Sequence, residues 1–385
     1  MEQAHILILA ASIGAGHMRA AEAIRAALAE HPNAAGMKID VVDFMAREVS
    51  SIHYLMKRIY LTMLRFVPDL YDVFFRIAGK KSSGGIVRSA FAQVMVRTMG
   101  RLVRSYQPDL IVATHPFPEG AAALWRARNG GSFLLAALLT DYALHEIWLA
   151  GRVDTYFVAT DAMAQQMAEL GFDSRKVHAT GIPIIPPNCS LGQHEARRKA
   201  GLTENLPTLL LMGGGLGLGD IERTLDALEM VRERLSILVV AGHNSALEAH
   251  VRRAAEKSRH DIRVWGYTRE VPVLMRAADL LITKPGALTI SEAFAAGLPL
   301  LLHDPIPGPE TENAVYATRR GAAVWLHPGE RMAPAVEEIL AHRIPTMREA
   351  ARACAREGAA QRTAEILMKM LTRKRGNTDG SEKTL

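Results

Sequence analysis

Along this chain, short unbroken apolar runs alternate with longer segments in which apolar residues return every three or four positions. Residues 5–11 form such a run and end in the glycine-containing turn 12–16. A helical pattern over 20–28 and a second run at 38–42 follow, a β-loop-α-β opening. The alternation continues through strand 110–114, a helix from about Gly120, strands 133–140 and 155–160, a helix over 162–170 and strand 177–180. Three prolines within 181–187 exclude both helix and central strand, which places a linker just after them. A second alternation then begins, with strands at 208–212, 236–240, 262–265, 280–283 and 300–303. Its helices start near Asp220 and cover 246–257, 271–277 and 288–296. Strands alternating with helices predict parallel sheets covered on both faces, hence two Rossmann-like, doubly wound α/β domains. The expected division is 1–188, 189–345, a helical segment 346–372 and a disordered tail 373–385, polar and rich in Gly, Ser and Thr from Gly376.

A length of 385 residues agrees with two domains, and 49% apolar with 22% charged residues excludes a disordered, collagen-like or disulfide-built chain. The two cysteines, Cys189 and Cys354, lack the spacing of a metal site or redox pair. The opening residues carry Glu2 where a secretory signal carries positive charge, and their apolar run is too short to span a bilayer, so a cytoplasmic protein is expected. Charge changes the picture most. Between Arg47 and Arg104 eleven Lys/Arg face three acids, a local +8 within an overall +6. Basicity this local points to an anionic docking surface, membrane or nucleic acid. No nucleic-acid-binding module accompanies it, which favours the membrane.

Three glycine-containing turns carry candidate chemistry. In Ser12-Ile13-Gly14-Ala15-Gly16-His17 the dinucleotide fingerprint fails, because Arg19 occupies the third glycine position. Gly14 and Gly16 still permit a tight turn that presents backbone N–H groups and His17 at a helix N-terminus. An imidazole of ordinary pKa, about 6.5, suits proton transfer from an alcohol and equally suits capping, so both roles stay open for His17. Residues 212–219 hold five glycines, among them Gly214, Gly215 and Gly217, after a strand and before a helix. Such a loop lets backbone N–H groups approach phosphate or sugar oxygens, but it lacks the Gly-Lys-Ser/Thr ending of a nucleoside-triphosphate loop. In 283–293 a strand ends, Pro285-Gly286 turns, and a helix begins whose free amides suit a diphosphate. Glu292 in that helix can take a ribose diol, or simply favour the positive helix end.

These motifs, with Trp265-Gly266-Tyr267 and Pro307-Gly308-Pro309-Glu310-Thr311-Glu312-Asn313, occur in an order that resembles the monogalactosyldiacylglycerol synthases and processive diacylglycerol glucosyltransferases of glycosyltransferase family 28. Residues 140–148 and Gly181-Ile182-Pro183-Ile184 resemble the same group, and the resemblance spans about 6–323. It implies a GT-B fold, two Rossmann-like domains facing a central cleft, with a UDP-sugar held mainly by the C-terminal domain and a lipid acceptor by the N-terminal one. It implies His17 as the base, Tyr267 and its neighbours at the uracil, and Gly286, Ala287, Leu288 and Thr289 at the diphosphate. Glu292 would hold the ribose, and Glu310 and Asn313 would face the transferred sugar. Gly14, Gly16, His145, Gly214, Gly215, Gly217 and Gly266 complete the expected substrate-binding set. The resemblance implies an inverting reaction with no metal and no other cofactor. Two positions depart from the pattern, Pro309 where Gln is usual and Ile185 where Arg is frequent.

Between Ile52 and Ile77, apolar and polar positions separate onto opposite helical faces, an amphipathic segment expected to split before Pro68. Packing on its own domain would produce the same pattern. The aromatic residues Tyr54, Tyr60, Phe66, Tyr71, Phe74 and Phe75, with the basic loop 79–85, favour an anionic membrane surface met by residues 52–104. The expected protein is an inverting, UDP-sugar-dependent glycosyltransferase acting on diacylglycerol or a related lipid, peripheral at the inner face of the cell membrane. The same residues leave open N-acetylglucosaminyl transfer to a polyprenyl-linked precursor, a UDP-sugar epimerase and a non-catalytic UDP-sugar sensor.

Overall fold

The computed structural model describes residues 3–66, 84–149, 152–185, 191–202, 206–213, 221–306 and 308–381. The chain divides into two compact units, Met1–Ile185 with Gly358–Leu385, and Pro186–Glu357. The division falls inside the proline-rich stretch, and from Gly358 the chain returns to the first unit. The final helix, Ala359–Ser381, extends through most of the tail for which composition predicts disorder. Leu367, Met368 and Leu371 of that helix are buried, and once such turns are anchored, adding further helical residues costs little.

Among its described residues the first unit contains the strands β1 (His5–Ala10), β2 (Lys38–Asp43), β3 (Leu110–Ala113), β4 (Leu134–Leu138), β5 (Thr155–Phe157) and β6 (Val177–His178). They form one parallel sheet in the order β2-β1-β3-β4-β5-β6. Ile6 to Ala10 are fully buried, as expected of a strand with helices on both faces. After β1 the chain moves outward to β2 and then crosses back to β3 on the other side. The β1/β3 boundary is therefore the point where strand order reverses, the place at which open parallel sheets commonly bind ligands. The helices Ser51–Phe66 and Gly84–Tyr106 make that crossing, and Pro116–Asn129 packs against the second of them.

The second unit repeats the logic with β7 (Thr208–Met212), β8 (Ser236–Val240), β9 (Asp261–Trp265), β10 (Leu280–Thr283), β11 (Leu300–Leu302) and β12 (Ala323–Trp325), in the order β12-β11-β10-β7-β8-β9. All neighbours are parallel. Strand order reverses between β7 and β10. Leu209, Leu211, Ile237, Val239, Leu280 and Ile282 build the core with Leu225, Leu228, Val336 and Met347 from the covering helices. The boundaries of β7, β8 and β10 are those expected from their apolar runs, whereas β12, only three residues long, gives no periodic signal. Among the described residues no helix is long and apolar enough to cross a membrane.

Candidate active site

His17 stands at the reversal point of the first sheet. The chain leaves β1, turns through Gly14 at φ +84°, and enters the helix Gly16–Ala29, whose second residue is His17. Its Nδ1 lies 2.8 Å from the carbonyl oxygen of Thr114, just past β3, and 2.8 Å from Oγ1 of Thr140, just past β4. The Thr114 hydroxyl donates in return to the His17 carbonyl at 3.1 Å. A carbonyl oxygen can only accept, so Nδ1 carries the proton. In the neutral imidazole Nε2 then holds a free lone pair.

Burial pushes the His17 pKa below its ordinary value, while Asp141 and the hydrogen bond to Thr114 oppose that shift. The ring is thus neutral near pH 7, with an anion nearby to steady the imidazolium if a proton arrives. The His115 ring meets His17 edge-on at 4.6 Å between centroids. His115 caps the helix Pro116–Asn129 by accepting from the Phe117 N–H at 3.1 Å, and burial, reinforced by His17, holds its pKa well below the imidazole range. Of the residues expected beside His17, Gly14 and Gly16 form its turn. His145 is half-buried and precedes the short 3-10 turn Glu146–Trp148. Thr114 and His115 escaped the sequence reading, and Thr140 and Asp141 entered it only within the 140–148 segment without a role, because nothing in the local pattern says that three strand ends separated by some hundred residues converge on one ring.

In the second unit every described donor candidate lies past the carboxyl end of a strand. The helix Ala287–Ala296 starts from Gly286, which has extended backbone (φ −67°, ψ 129°) and no side chain to cap the first amides. The Gly286 N–H is engaged by the Lys284 carbonyl at 2.8 Å, so the amides of Ala287, Leu288 and Thr289 form the anion-facing end. Thr283 Oγ1 donates to the Met212 carbonyl at 2.9 Å and clamps the end of β10 to that of β7, where Gly213 begins the glycine-rich loop. Gly214, Gly215 and Gly217 lie outside the described residues. Glu292, on the second turn, is buried at 7% exposure.

Past β9, Tyr267 is 66% exposed and stacks on His243, past β8, with centroids 4.3 Å apart and planes 15° apart. This pair forms a flat aromatic platform, and His243 was missed because a lone exposed histidine carries no pattern. A Cβ on Gly266 would come within 2.5 Å of Glu248 Oε2, so the turn before Tyr267 has no room for a side chain unless Glu248 moves. Glu310 Oε2 accepts from the Ile306 N–H at 2.7 Å and ties down the turn that enters the helix Pro309–Arg319. Asn313, on the second turn of that helix, is fully buried.

Comparison with known proteins agrees with this architecture. The monogalactosyldiacylglycerol (MGDG) synthase family matches residues 17–184, and the glycosyltransferase family 28 C-terminal domain matches 208–366. The processive diacylglycerol beta-glucosyltransferase of Bacillus cereus (strain AH187) is 30% identical over 372 residues, covering 94% of this chain and 93% of its own. That of Bacillus subtilis (strain 168) is 30% identical over 342 residues, covering 87% of each chain. Among solved structures, Acinetobacter baumannii MurG superposes with a TM-score of 0.62 at 15% identity, covering 96% of this chain and all of its own. Anabaena HepE in complex with UDP superposes at 0.55 with 16% identity, covering 95% of this chain and 100% of that one. At such identities the structures speak for the fold, which is GT-B. The chain is a glycosyltransferase and belongs to family 28, within the group of the MGDG synthases and processive diacylglycerol glucosyltransferases.

Proposed function

We propose that this protein transfers a hexose from a UDP-sugar to diacylglycerol or a closely related membrane lipid, inverting the anomeric centre. The observation that carries the reading is the state of His17: neutral, with Nδ1–H held by Thr114 and Thr140 and Nε2 free to take a proton. The acceptor hydroxyl loses its proton to Nε2 as its oxygen bonds to the anomeric carbon. The bond from that carbon to the diphosphate breaks, and UDP leaves with the electron pair. The amides after Gly286 stabilise the negative charge that develops on the diphosphate. Tyr267 and His243 stack with the uracil, Glu292 holds the ribose, and Glu310 lines the hexose side. His17, Gly14, Gly16 and His145 belong to the acceptor side.

The acceptor stays in a bilayer, so the enzyme must work at its surface. On the helix Ser51–Phe66, Ile52, Leu55 and Ile59 are 62%, 57% and 60% exposed and form one stripe at helical spacing. On the helix Gly84–Tyr106, Arg97, Arg101 and Arg104 form an exposed basic stripe beside Val94, which is 50% exposed. Apolar side chains entering the interface beside cations at the headgroups are the physical requirements for an anionic lipid surface. Of the expected basic loop 79–85, residues 79–83 lie outside the described residues, as do Tyr71, Phe74 and Phe75, and Gly84 and Gly85 begin the helix Gly84–Tyr106.

The test is incubation with phosphatidylglycerol vesicles containing diacylglycerol and a panel of UDP-sugars, reading UDP release and glycolipid mass. A glycolipid formed only when diacylglycerol is present is the expected result. Product only on a polyprenyl-linked acceptor, interconversion of the UDP-sugar without lipid, or nucleotide binding without turnover would each overturn the reading.

A further inference from the structure

We propose that Lys57 is a positioning residue that couples the helix Ser51–Phe66 to the loop carrying His17, so that this helix, once seated on an anionic lipid surface, orders the base. The inference rests on the membrane-docking reading above. The helix has two faces with different duties. Outward lie Ile52, Leu55 and Ile59. Inward, one turn apart, lie His53 and Lys57. His53 is buried, its Nδ1–H donates to the Phe44 carbonyl at 3.0 Å, and its ring packs on Phe44 at 4.8 Å.

The Lys57 ammonium donates to Ser12 Oγ, the first residue of the turn that leads to His17. Asp43 Oδ1 completes the joint by accepting from the N–H groups of both Ser12 and Met45 at 3.0 Å. Ser12 is therefore held at its backbone by the end of β2 and at its hydroxyl by the helix. Only four residues separate it from His17, and Gly14 among them has the left-handed conformation that gives the turn its freedom. A helix with one apolar face in water opens locally at low cost, and seating that face in lipid removes the opening. Through Lys57, whatever fixes the helix fixes Ser12.

Hydrogen exchange on the full chain tests this. Phosphatidylglycerol vesicles should slow exchange of the amides at 12–17 about tenfold in the wild type and leave them unchanged in Lys57→Met, while both proteins co-sediment with vesicles equally. With UDP-glucose and diacylglycerol vesicles, Lys57→Met and Ser12→Ala should each lower kcat about tenfold at constant KM for the donor. The double variant should fall no further, and Lys57→Arg should recover most of the rate. Equal slowing of 12–17 in Lys57→Met, or a loss confined to vesicle binding with kcat intact at saturating lipid, would overturn the coupling and leave Lys57 a simple headgroup contact. If replacing Ile52, Leu55 and Ile59 together by Ser leaves vesicle binding intact, the docking reading fails instead, whatever Lys57 does.

Discussion

The surroundings of His17 keep it neutral and oriented at once, which is what the proposed base requires. Replacing it by Ala should lower kcat about 10²–10⁴-fold, the range of a lost general base, with UDP affinity by calorimetry unchanged. An unchanged rate removes the assignment. The pH profile has a defined sign. The base works deprotonated and burial lowers its pKa, so the acid limb of kcat/KM should lie below about 6.5, the ordinary imidazole value. Asp141 is the largest influence raising that pKa, so Asp141→Asn should move the limb lower still while reducing kcat, because the imidazolium loses its counter-charge. A limb above 6.5, or one that rises in Asp141→Asn, would contradict the neutral-base assignment. The sequence supplied His17 itself from its glycine turn. It could not supply Thr114 and Thr140, which lie 97 and 123 residues away and meet the ring only after three strands pair.

At the level of elements, the helix Ala287–Ala296 starts without a side-chain cap, as the proposed diphosphate site requires. Glycine is a serviceable N-cap, but a Ser there would satisfy one of the amides with its own oxygen. The backbone at Gly286 is one that any residue adopts, and the nearest atom to an added Cβ is Thr289 Oγ1 at 4.0 Å. Gly286→Ser should therefore leave the thermal midpoint unchanged or slightly raised while weakening UDP binding about tenfold, the worth of roughly one hydrogen bond. Unweakened binding would show that these amides do not meet the diphosphate. The helices Gly84–Tyr106 and Pro116–Asn129 pack closely through another glycine. A Cβ at Gly100 would lie 2.7 Å from Trp125 Nε1, and Gly100→Ala should cost about 1–3 kcal/mol in a urea melt by overpacking. Of the glycine-containing turns read from the sequence, Gly14 turns at φ +84° with no atom within 4 Å of an added Cβ, Gly286 is almost as open, and Gly214, Gly215 and Gly217 lie outside the described residues.

Across the whole molecule, histidines make stability depend on acid. His17, His53, His115 and His178 all have pKa values lowered in the folded chain, with burial the first cause in each. The unfolded chain takes up their protons near 6.5 and the folded chain does so only at lower pH. Stability is thus fully present above about 6.5 and is lost as pH falls from there through the lowered folded values. The urea midpoint should be clearly lower at pH 5.5 than at 7.5, and equal midpoints would show these rings to be solvated in solution.

By itself the sequence determined the class of the fold and which residues could do chemistry. Fully apolar strand runs specify parallel sheets buried on both faces, and glycines specify where backbone can turn tightly, as Gly14 does. Both properties are local and survive in the linear pattern. The tertiary structure decided which strand ends adjoin, and so which proton His17 holds, that Thr283 clamps β10 to β7, and that His243 stacks on Tyr267. It also decided that the amphipathic segment 52–59 turns His53 and Lys57 inward and leaves Ile52, Leu55 and Ile59 in water. Strand order and the choice between a buried and an exposed apolar face depend on which distant surfaces compete for contact, and no short window of residues contains that competition.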